Sequence, residues 1–314
     1  MLRLLHLPLL AVALGATPAH CAQADVQKEA ATAPLAADPS ARALAKACAG
    51  RDGWSDAAPP ARIFGNSYYV GTCGISVVLI TSDQGHVLID SGTIGAAPLV
   101  LASIRKLGLK PEDVRWIISS HEHYDHVGAL AELQQATGAR VAALPAMARA
   151  LNSGRASVDD PQATSLDTFA PVKVDKVLHE GESLTLGALK FTPYATPAHS
   201  PGSTSWIWQS CNDAGDCRTM TYADSATTIS ADGYRFHDHA DRMAQIERGI
   251  AAVAALPCDV LITPHPSASH LFERFAGQEP LADRQACVNY AERARATYSK
   301  RLTLETTETA SEPN

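Results

Sequence analysis

The sequence predicts an α/β protein in four layers, two β-sheets packed face to face with helices outside. Three observations carry this. The chain has 314 residues, 46% apolar and 19% charged, which is a globular composition. Runs of β-branched and apolar residues broken by Gly and Asn are followed by helical spacing, and this texture occurs twice. Both halves then place histidines on loops directly after strands. Two half-buried meanders with outer helices close around one large core, so residues 46–314 are expected to form one domain with its site at a shared rim.

The N-terminus reads as a cleaved secretory signal over residues 1–24. Arg3 precedes an apolar run from Leu4 to about Ala16, and Ala22-Gln23-Ala24 offers a small–x–small cleavage site. That run is short for a membrane anchor. A retained anchor or buried helix is the competing reading, and a lipidated Cys21 fits less well after Pro18-Ala19-His20. Residues 25–45, rich in Ala, Pro and polar residues, are expected as a flexible leader or short helix. Cleavage removes Cys21 and leaves Cys48, Cys73, Cys211, Cys217, Cys258 and Cys287, an even set that suits an oxidising compartment. The turn-rich stretch Asn212–Asp216 favours a local Cys211–Cys217 bridge. Cys48–Cys73 and Cys258–Cys287 are taken for the remainder, although spacing does not choose among the pairings. No two cysteines have the CxxC spacing of a thiolate metal site.

Strands are expected at Ile63–Phe64, Ser67–Val70, Ile75–Thr81 and His86–Asp90. Ile94, Leu99, Val100, Leu101, Ile104 and Leu107 then fall at helical spacing before Gly108. Trp116–Ser119 reads as a strand, Val127–Thr137 as a helix, Val141–Ala143 as a strand and 152–168 as a polar loop. The second half gives strands at Val172–Val177, Ser183–Leu186, Leu189–Thr196, Ser203–Gln209 and Arg218–Tyr222. A helix from about Asp241 to Leu256, a strand at Asp259–Thr263 and a charged terminal helix over 281–303 complete it.

The chemistry concentrates in residues 119–128, Ser-Ser-His-Glu-His-Tyr-Asp-His-Val-Gly. His121, His123, Asp125 and His126 are all ligand types that suit Zn²⁺. No regular strand or helix brings all four to one ion, but a tight strand-to-helix loop can serve two neighbouring ions. A solvated His-rich loop is the plainer alternative, yet three of the chain's 12 histidines stand here at HxHxDH spacing. His199, in Thr196-Pro197-Ala198-His199-Ser200-Pro201-Gly202-Ser203, and His265, in Thr263-Pro264-His265-Pro266, each follow a strand. Alone, either reads as an ordinary loop or core histidine; at strand ends fixed by Pro and Gly they complete a set.

HxHxDH, then TPxH with PGS after it, then a late TPHP, resembles the metallo-β-lactamase superfamily. With Tyr222-Ala223-Asp224-Ser225 added, the chain is similar to its subclass B3, over about residues 48–295. The resemblance implies the αββα four-layer sandwich and two Zn²⁺ per chain, with His121, His123 and His199 on one ion and Asp125, His126 and His265 on the other. It also implies hydrolysis of the β-lactam ring of penicillins, cephalosporins and carbapenems by a zinc-bridging hydroxide that Asp125 orients. Other subclasses place a cysteine ligand where Ser225 stands. Ser225 and Thr227 are then candidates for holding the substrate carboxylate, against the plainer reading of turn-capping hydroxyls, and Gln162 for a further substrate contact.

His237-Asp238-His239-Ala240-Asp241-Arg242 imitates the main motif but ends in Arg242. It reads as a polar loop entering a helix, with Asp238 or Asp241 as the cap. His86, His179 and His270 read as ordinary histidines. Two rivals stand beside the lactamase reading. One is another hydrolase of the same fold, a glyoxalase II-like thioesterase or a lactonase: Asp224 resembles the bridging aspartate of those enzymes, while Ser203 stands where they tend to carry histidine. The other is an exported zinc-binding protein without catalysis. The formal net charge of −7 gives no reason to expect a nucleic-acid partner. The chain is expected to be a periplasmic monomer with a small-molecule substrate and no membrane contact after cleavage.

Overall fold

Alternate residues of the central strands face opposite layers, and this period of two builds the architecture. The computed structural model describes residues 37–179 and 181–311; the signal expected at 1–24 and the first part of the expected leader, 25–36, lie outside them. Among the described residues, one sheet runs β1 (Ala61–Phe64), β2 (Ser67–Tyr69), β3 (Val78–Ile80), β4 (His86–Ile89), β5 (Val114–Ile118), β6 (Arg140–Ala143) and β7 (Lys176–Val177). The other has the order β12 (Val260–Ile262), β11 (Cys217–Tyr222), β10 (Thr204–Cys211), β9 (Leu189–Ala195) and β8 (Leu184–Leu186).

Val78, Ile80, Val87, Ile89, Trp116 and Ile118 of the first sheet share one buried cluster with Phe191, Trp206, Trp208, Met220, Val260 and Ile262 of the second. The intervening Leu79, Leu88 and Ile117 point the other way. They pack under α2 (Ala97–Lys106), α4 (Leu130–Thr137) and α5 (Pro145–Ser153), against Val100, Leu133 and Met147. On the far side, Ile207 and Leu261 meet Ile246, Ile250, Val253 and Tyr298 of α6 (Ala240–Ala254) and α8 (Ala286–Ser311). The expected helix–sheet–sheet–helix sandwich is the observed one.

Several expectations are corrected in detail. In the C-terminal part of the expected leader the short-helix alternative holds rather than the flexible one, as α1 (Pro39–Ala47). Asp38 caps it by accepting the Ser40 N–H at 2.8 Å, and Leu44 sits in the inter-sheet cluster with Leu271 and Phe275 of α7 (Leu271–Phe275). Ordered structure therefore begins before residue 46. The helix expected over Val127–Thr137 is split into α3 (Tyr124–Val127) and α4. The end of β4 intrudes there: the Ser91 N–H takes the His126 carbonyl at 2.8 Å, and a Cβ at Gly128 would stand 2.4 Å from Ile94 N. Ile94 lies 58% exposed, outside α2. Helix α5 was not read from the sequence, although Pro145 at its start and left-handed Gly154 past its end are standard boundary residues. Strand β7 spans only Lys176–Val177 of the expected 172–177. Neither Asp238 nor Asp241 caps α6; His239 occupies that position without a side-chain cap bond.

The strand directions gather the candidate residues. β4 is parallel to β5, and β11 to β12. β9 is antiparallel to β10, which is antiparallel to β11, so β9 runs with β11. The C-terminal ends of these strands lead into Asp90, the His121–His126 loop, His199, Asp224 and His265, where open α/β sheets put their ligands. The edges are tied across the sandwich: the Thr204 N–H donates to Ser120 O at 2.7 Å, and the Ser76 N–H to Pro264 O at 2.8 Å. The structure pairs Cys48 with Cys73, Cys211 with Cys217 and Cys258 with Cys287.

Trp206 joins core to site, because its fully buried indole N–H donates to Ser119 O at 2.9 Å, two residues before His121. Trp206→Ala is expected to lower unfolding free energy by about 3–5 kcal/mol. Trp206→Phe, which keeps most of the volume but orphans that carbonyl, is expected to cost about 1–3 kcal/mol. Chemical denaturation checks both, and equal costs for the two variants would contradict the assignment.

Candidate metal centre

Strand β5 ends at Ile118, and the chain turns through Ser119–His123 before α3 begins. His123 is the helix N-cap in extended conformation, with its carbonyl accepting the His126 N–H at 2.9 Å and the Val127 N–H at 3.0 Å. This puts His121 and His123 on the loop, and Asp125 and His126 in the first helical turn. All four are buried. The ligand atoms of His121, His123 and His199 lie within 4.8 Å of one another, as do those of His121, Asp125 and His126. His265 Nε2 closes on the second group, 3.4 Å from Asp125 Oδ2 and 3.4 Å from His126 Nε2, while Asp125 and His126 are 3.0 Å apart. The fold thus brings together every ligand candidate read from the sequence.

Each ring has an acceptor on its outer nitrogen. His121 Nδ1 pairs with Asp224 Oδ1 at 2.8 Å, and His123 Nε2 with Asp160 Oδ2 at 2.8 Å. His199 Nδ1 is 2.9 Å from Thr227 O, and His265 Nδ1 is 3.3 Å from Gly74 O. His126 Nδ1 lies 3.3 Å from Asp90 Oδ2, an ion-pair contact rather than an aligned hydrogen bond. These partners fix ring orientation and tautomer, the usual arrangement behind metal-binding imidazoles. The nitrogens left over are His121 Nε2, His123 Nδ1, His199 Nε2, His126 Nε2 and His265 Nε2. His121 Nε2 is buried with no hydrogen-bond partner among the described residues, an orphaned polar atom that a metal ion would satisfy. The donor set, five imidazoles with a carboxylate, therefore fits divalent zinc.

Asp90 is the hub beneath the loop. Its Oδ1 accepts the Ser120 N–H at 2.6 Å, and its Oδ2 accepts the Ser120 hydroxyl at 2.7 Å and the Tyr222 hydroxyl at 2.7 Å. Its backbone is left-handed at φ 64°, a strained setting that such a network can hold. Sequence reasoning named none of these supporting partners. Asp224 was noticed, but as a bridging residue; its placement behind His121 is different, and it is absent from both gathered ligand groups.

Burial, then the neighbouring His126 and His123 rings, hold the His121 imidazole well below its ordinary pKa. Burial and the His121 and His123 rings do the same to His199. In the second group, burial opposes ionisation, yet the pair wins: the His126 charge and the hydrogen bonds of His126 and His265 hold Asp125 below the usual carboxylate range. Burial alone would lower His126, but Asp125 and Asp90 push it up to about 10.

The remaining candidates fall at the rim. Ser225 is buried beside Asp224. Thr227 is exposed, with its hydroxyl 2.9 Å from His199 Nδ1, so it already serves that ring. Gln162 is half-buried; its N–H donates to Asp160 Oδ1 at 2.7 Å, and its side-chain Nε2 is buried without a partner. Trp54, unremarked in the sequence, lies 41% exposed with its ring 5.6 Å from that of His265. Among the described residues the motif mimic carries no second cluster: His237 Nε2 is bonded to Leu302 O at 3.1 Å, and His239 stacks on Tyr234.

Residues 70–213 match the family model of the metallo-beta-lactamase superfamily. Among solved structures, the chain is 58% identical to the metallo-β-lactamase MIM-1 from Novosphingobium pentaromativorans, covering 84% of this chain and 98% of that one with a TM-score of 0.83. It is 42% identical to MEM-A1, a subclass B3 metallo-β-lactamase from a soil metagenome library, covering 82% and 100% with a TM-score of 0.78. A probable metallo-hydrolase of Burkholderia pseudomallei is 27% identical over 47% of this chain and 52% of its own length. The chain spans about half the length of the curated relatives it matches, or less.

In the metal-free protein His126 carries a proton at neutral pH that a metal ion must displace, so raising pH favours binding. The affinity of the second group for a divalent ion is expected to fall about tenfold per unit drop in pH below neutral, with proton release on binding. Calorimetric titration in buffers of different ionisation enthalpy measures this, and a pH-independent affinity would contradict it.

Proposed function

The chain belongs to the metallo-β-lactamase superfamily, among its subclass B3 members, and from this we propose that it hydrolyses the β-lactam ring of penicillins, cephalosporins and carbapenems with two zinc ions. We assign His121, His123 and His199 to one ion and Asp125, His126 and His265 to the other. The observation that carries the reading is the paired geometry: two three-residue groups at one rim, each ring backed by its own acceptor. Three protein ligands per ion leave the open position that catalytic zinc sites keep.

Zinc bound there polarises the lactam carbonyl and makes water nucleophilic near neutral pH, its pKa falling from about 15.7 to about 7. The chain supplies the rest. Neutral His121 and His199 offer lone pairs rather than protons. Asp125, held ionised, orients the attacking water through its carboxylate and takes part in moving its proton to the lactam nitrogen as the C–N bond breaks. No serine nucleophile or covalent intermediate is needed. Ser225 and Thr227 are assigned to the substrate carboxylate, Gln162 to a further polar contact, and the Trp54 ring to the apolar flank. Asp224 holds the outer Nδ1 of His121 through its Oδ1 and belongs to neither of the gathered ligand groups, which favours the lactamase reading over the thioesterase one.

In this reading the protein is an exported, periplasmic monomer that confers antibiotic resistance. Three disulfides among the described residues support an oxidising compartment. No helix of the described residues is long and apolar enough to cross a membrane.

Steady-state hydrolysis of a carbapenem and of nitrocefin, before and after chelation, tests the proposal. Chelation should abolish turnover and added zinc should restore it. Asp125→Asn should lower kcat by roughly 10²-fold or more. A fully zinc-loaded protein that opens no lactam but cleaves thioesters or lactones would overturn the substrate, and turnover indifferent to chelation would overturn the metal.

A further inference from the structure

We propose that Glu122 and Arg242 are positioning residues that hold the His199 loop from opposite sides and so set the geometry of the metal group to which His199 belongs. The inference rests on reading His199 as a zinc ligand. His199 sits in the segment 196–203 between β9 and β10, far in sequence from the loop carrying His121 and His123. Something must hold the two loops in register, because a metal site tolerates little displacement of a ligand.

Glu122, between those two histidines, turns away from the cluster into the His199 loop. It is only 1% exposed, its Oε1 accepts the Gly202 N–H at 3.1 Å, and its Oε2 accepts the Ser200 hydroxyl at 2.5 Å. The fit leaves no room: a Cβ at Gly202 would stand 2.4 Å from Glu122 Oε2. This accounts physically for the Ser-Pro-Gly-Ser stretch after the histidine. Ser203 completes it, its hydroxyl accepting the Ser200 N–H at 3.0 Å.

Arg242 grips the other flank. It is 4% exposed in the first turn of α6, and its guanidinium donates to Pro197 O at 2.9 Å and to Ala198 O at 2.9 Å. Gly249, two turns along the same helix, lets α6 approach closely, since a Cβ there would lie 2.5 Å from Ala198 N. The residue that spoils the resemblance of His237–Arg242 to a metal motif thus reaches the backbone beside a metal ligand. Neither Glu122 nor Arg242 has a salt-bridge partner within 4.0 Å among the described residues. Burying a carboxylate and a guanidinium this way opposes stability unless their hydrogen bonds repay it. Glu122 spends its side-chain bonds on this loop, and Arg242 spends two there and a third on Gln245 Oε1 at 3.1 Å, with His199 between the two grips.

The test uses full-length wild type, Glu122→Ala, Glu122→Gln, Arg242→Met, Ser200→Ala and His199→Ala. Zinc affinities come from competition with a chromophoric chelator, and the d–d spectrum of the Co²⁺-substituted protein reports ligand geometry. His199→Ala identifies which of the two affinities belongs to its group. Glu122→Ala and Arg242→Met are expected to weaken that affinity by about 10- to 100-fold, the other remaining near wild type. Ser200→Ala, a milder change, should weaken the same affinity by a smaller factor. Glu122→Gln should recover most of the loss, because its amide oxygen can accept from Gly202 and its NH₂ can donate to Ser200. Wild-type affinity and spectrum in Glu122→Ala and Arg242→Met would overturn the proposal. So would equal loss at both sites that tracks a lowered unfolding midpoint and is shared by Glu122→Gln. Because the readout is metal binding, a wild type that binds two zinc ions but opens no lactam would defeat the functional reading and leave this test standing.

Discussion

Five buried or half-buried imidazoles with their inner nitrogens turned toward one another are the constraint on which the rest of this structure depends. Left alone they would rotate, protonate or separate. Asp224, Asp160, Asp90, the Thr227 carbonyl and the Gly74 carbonyl prevent this by engaging the outward nitrogen of each ring. Among the described residues the inward His121 Nε2 is left buried without a hydrogen-bond partner, and the inward nitrogens of His126 and His265 crowd onto Asp125 Oδ2, which is why the cluster calls for metal. The two groups differ in character. Around His121 and His199 the rings stay neutral through desolvation, whereas Asp125 and His126 form a mutually stabilised ion pair.

The sandwich exists in a form that serves this cluster. Strand ends from both sheets meet because β4 and β5 run together in one sheet, as do β9, β11 and β12 in the other. Large side chains fill the space between the sheets and fix the height of each loop. Trp206 reaches Ser119, and Tyr222 reaches Asp90, so inter-sheet packing continues into the hydrogen bonds under the ligands. A displaced core residue is thereby felt at the site.

Much of this was legible in the sequence, for identifiable reasons. Unbroken apolar runs such as Val78-Leu79-Ile80 and Val260-Leu261-Ile262 mark strands buried on both faces, and histidines just past such strands mark a rim. The spacing His121, His123, Asp125, His126 is local, so it survives reading without a structure. What stayed hidden was long-range. Asp160 lay in a stretch read as polar loop, and Asp90 looked like the end of a strand; each matters only through a histidine brought to it by folding. Glu122 and Arg242 were visible as the variable letter of a motif and the flaw in a decoy, and only their partners give them meaning. Local misreadings have local causes. Gly128 and the intruding end of β4 break a helix that periodicity alone would continue, and the leader's Leu44 is apolar enough to be drawn into the core.

The most direct measurement of the central claim is anomalous diffraction at the zinc absorption edge from crystals of the zinc-loaded protein. The account predicts two peaks roughly 3.5–4 Å apart, one touching His121 Nε2, His123 Nδ1 and His199 Nε2, the other Asp125, His126 Nε2 and His265 Nε2. A single peak, or peaks away from these nitrogens, would contradict it.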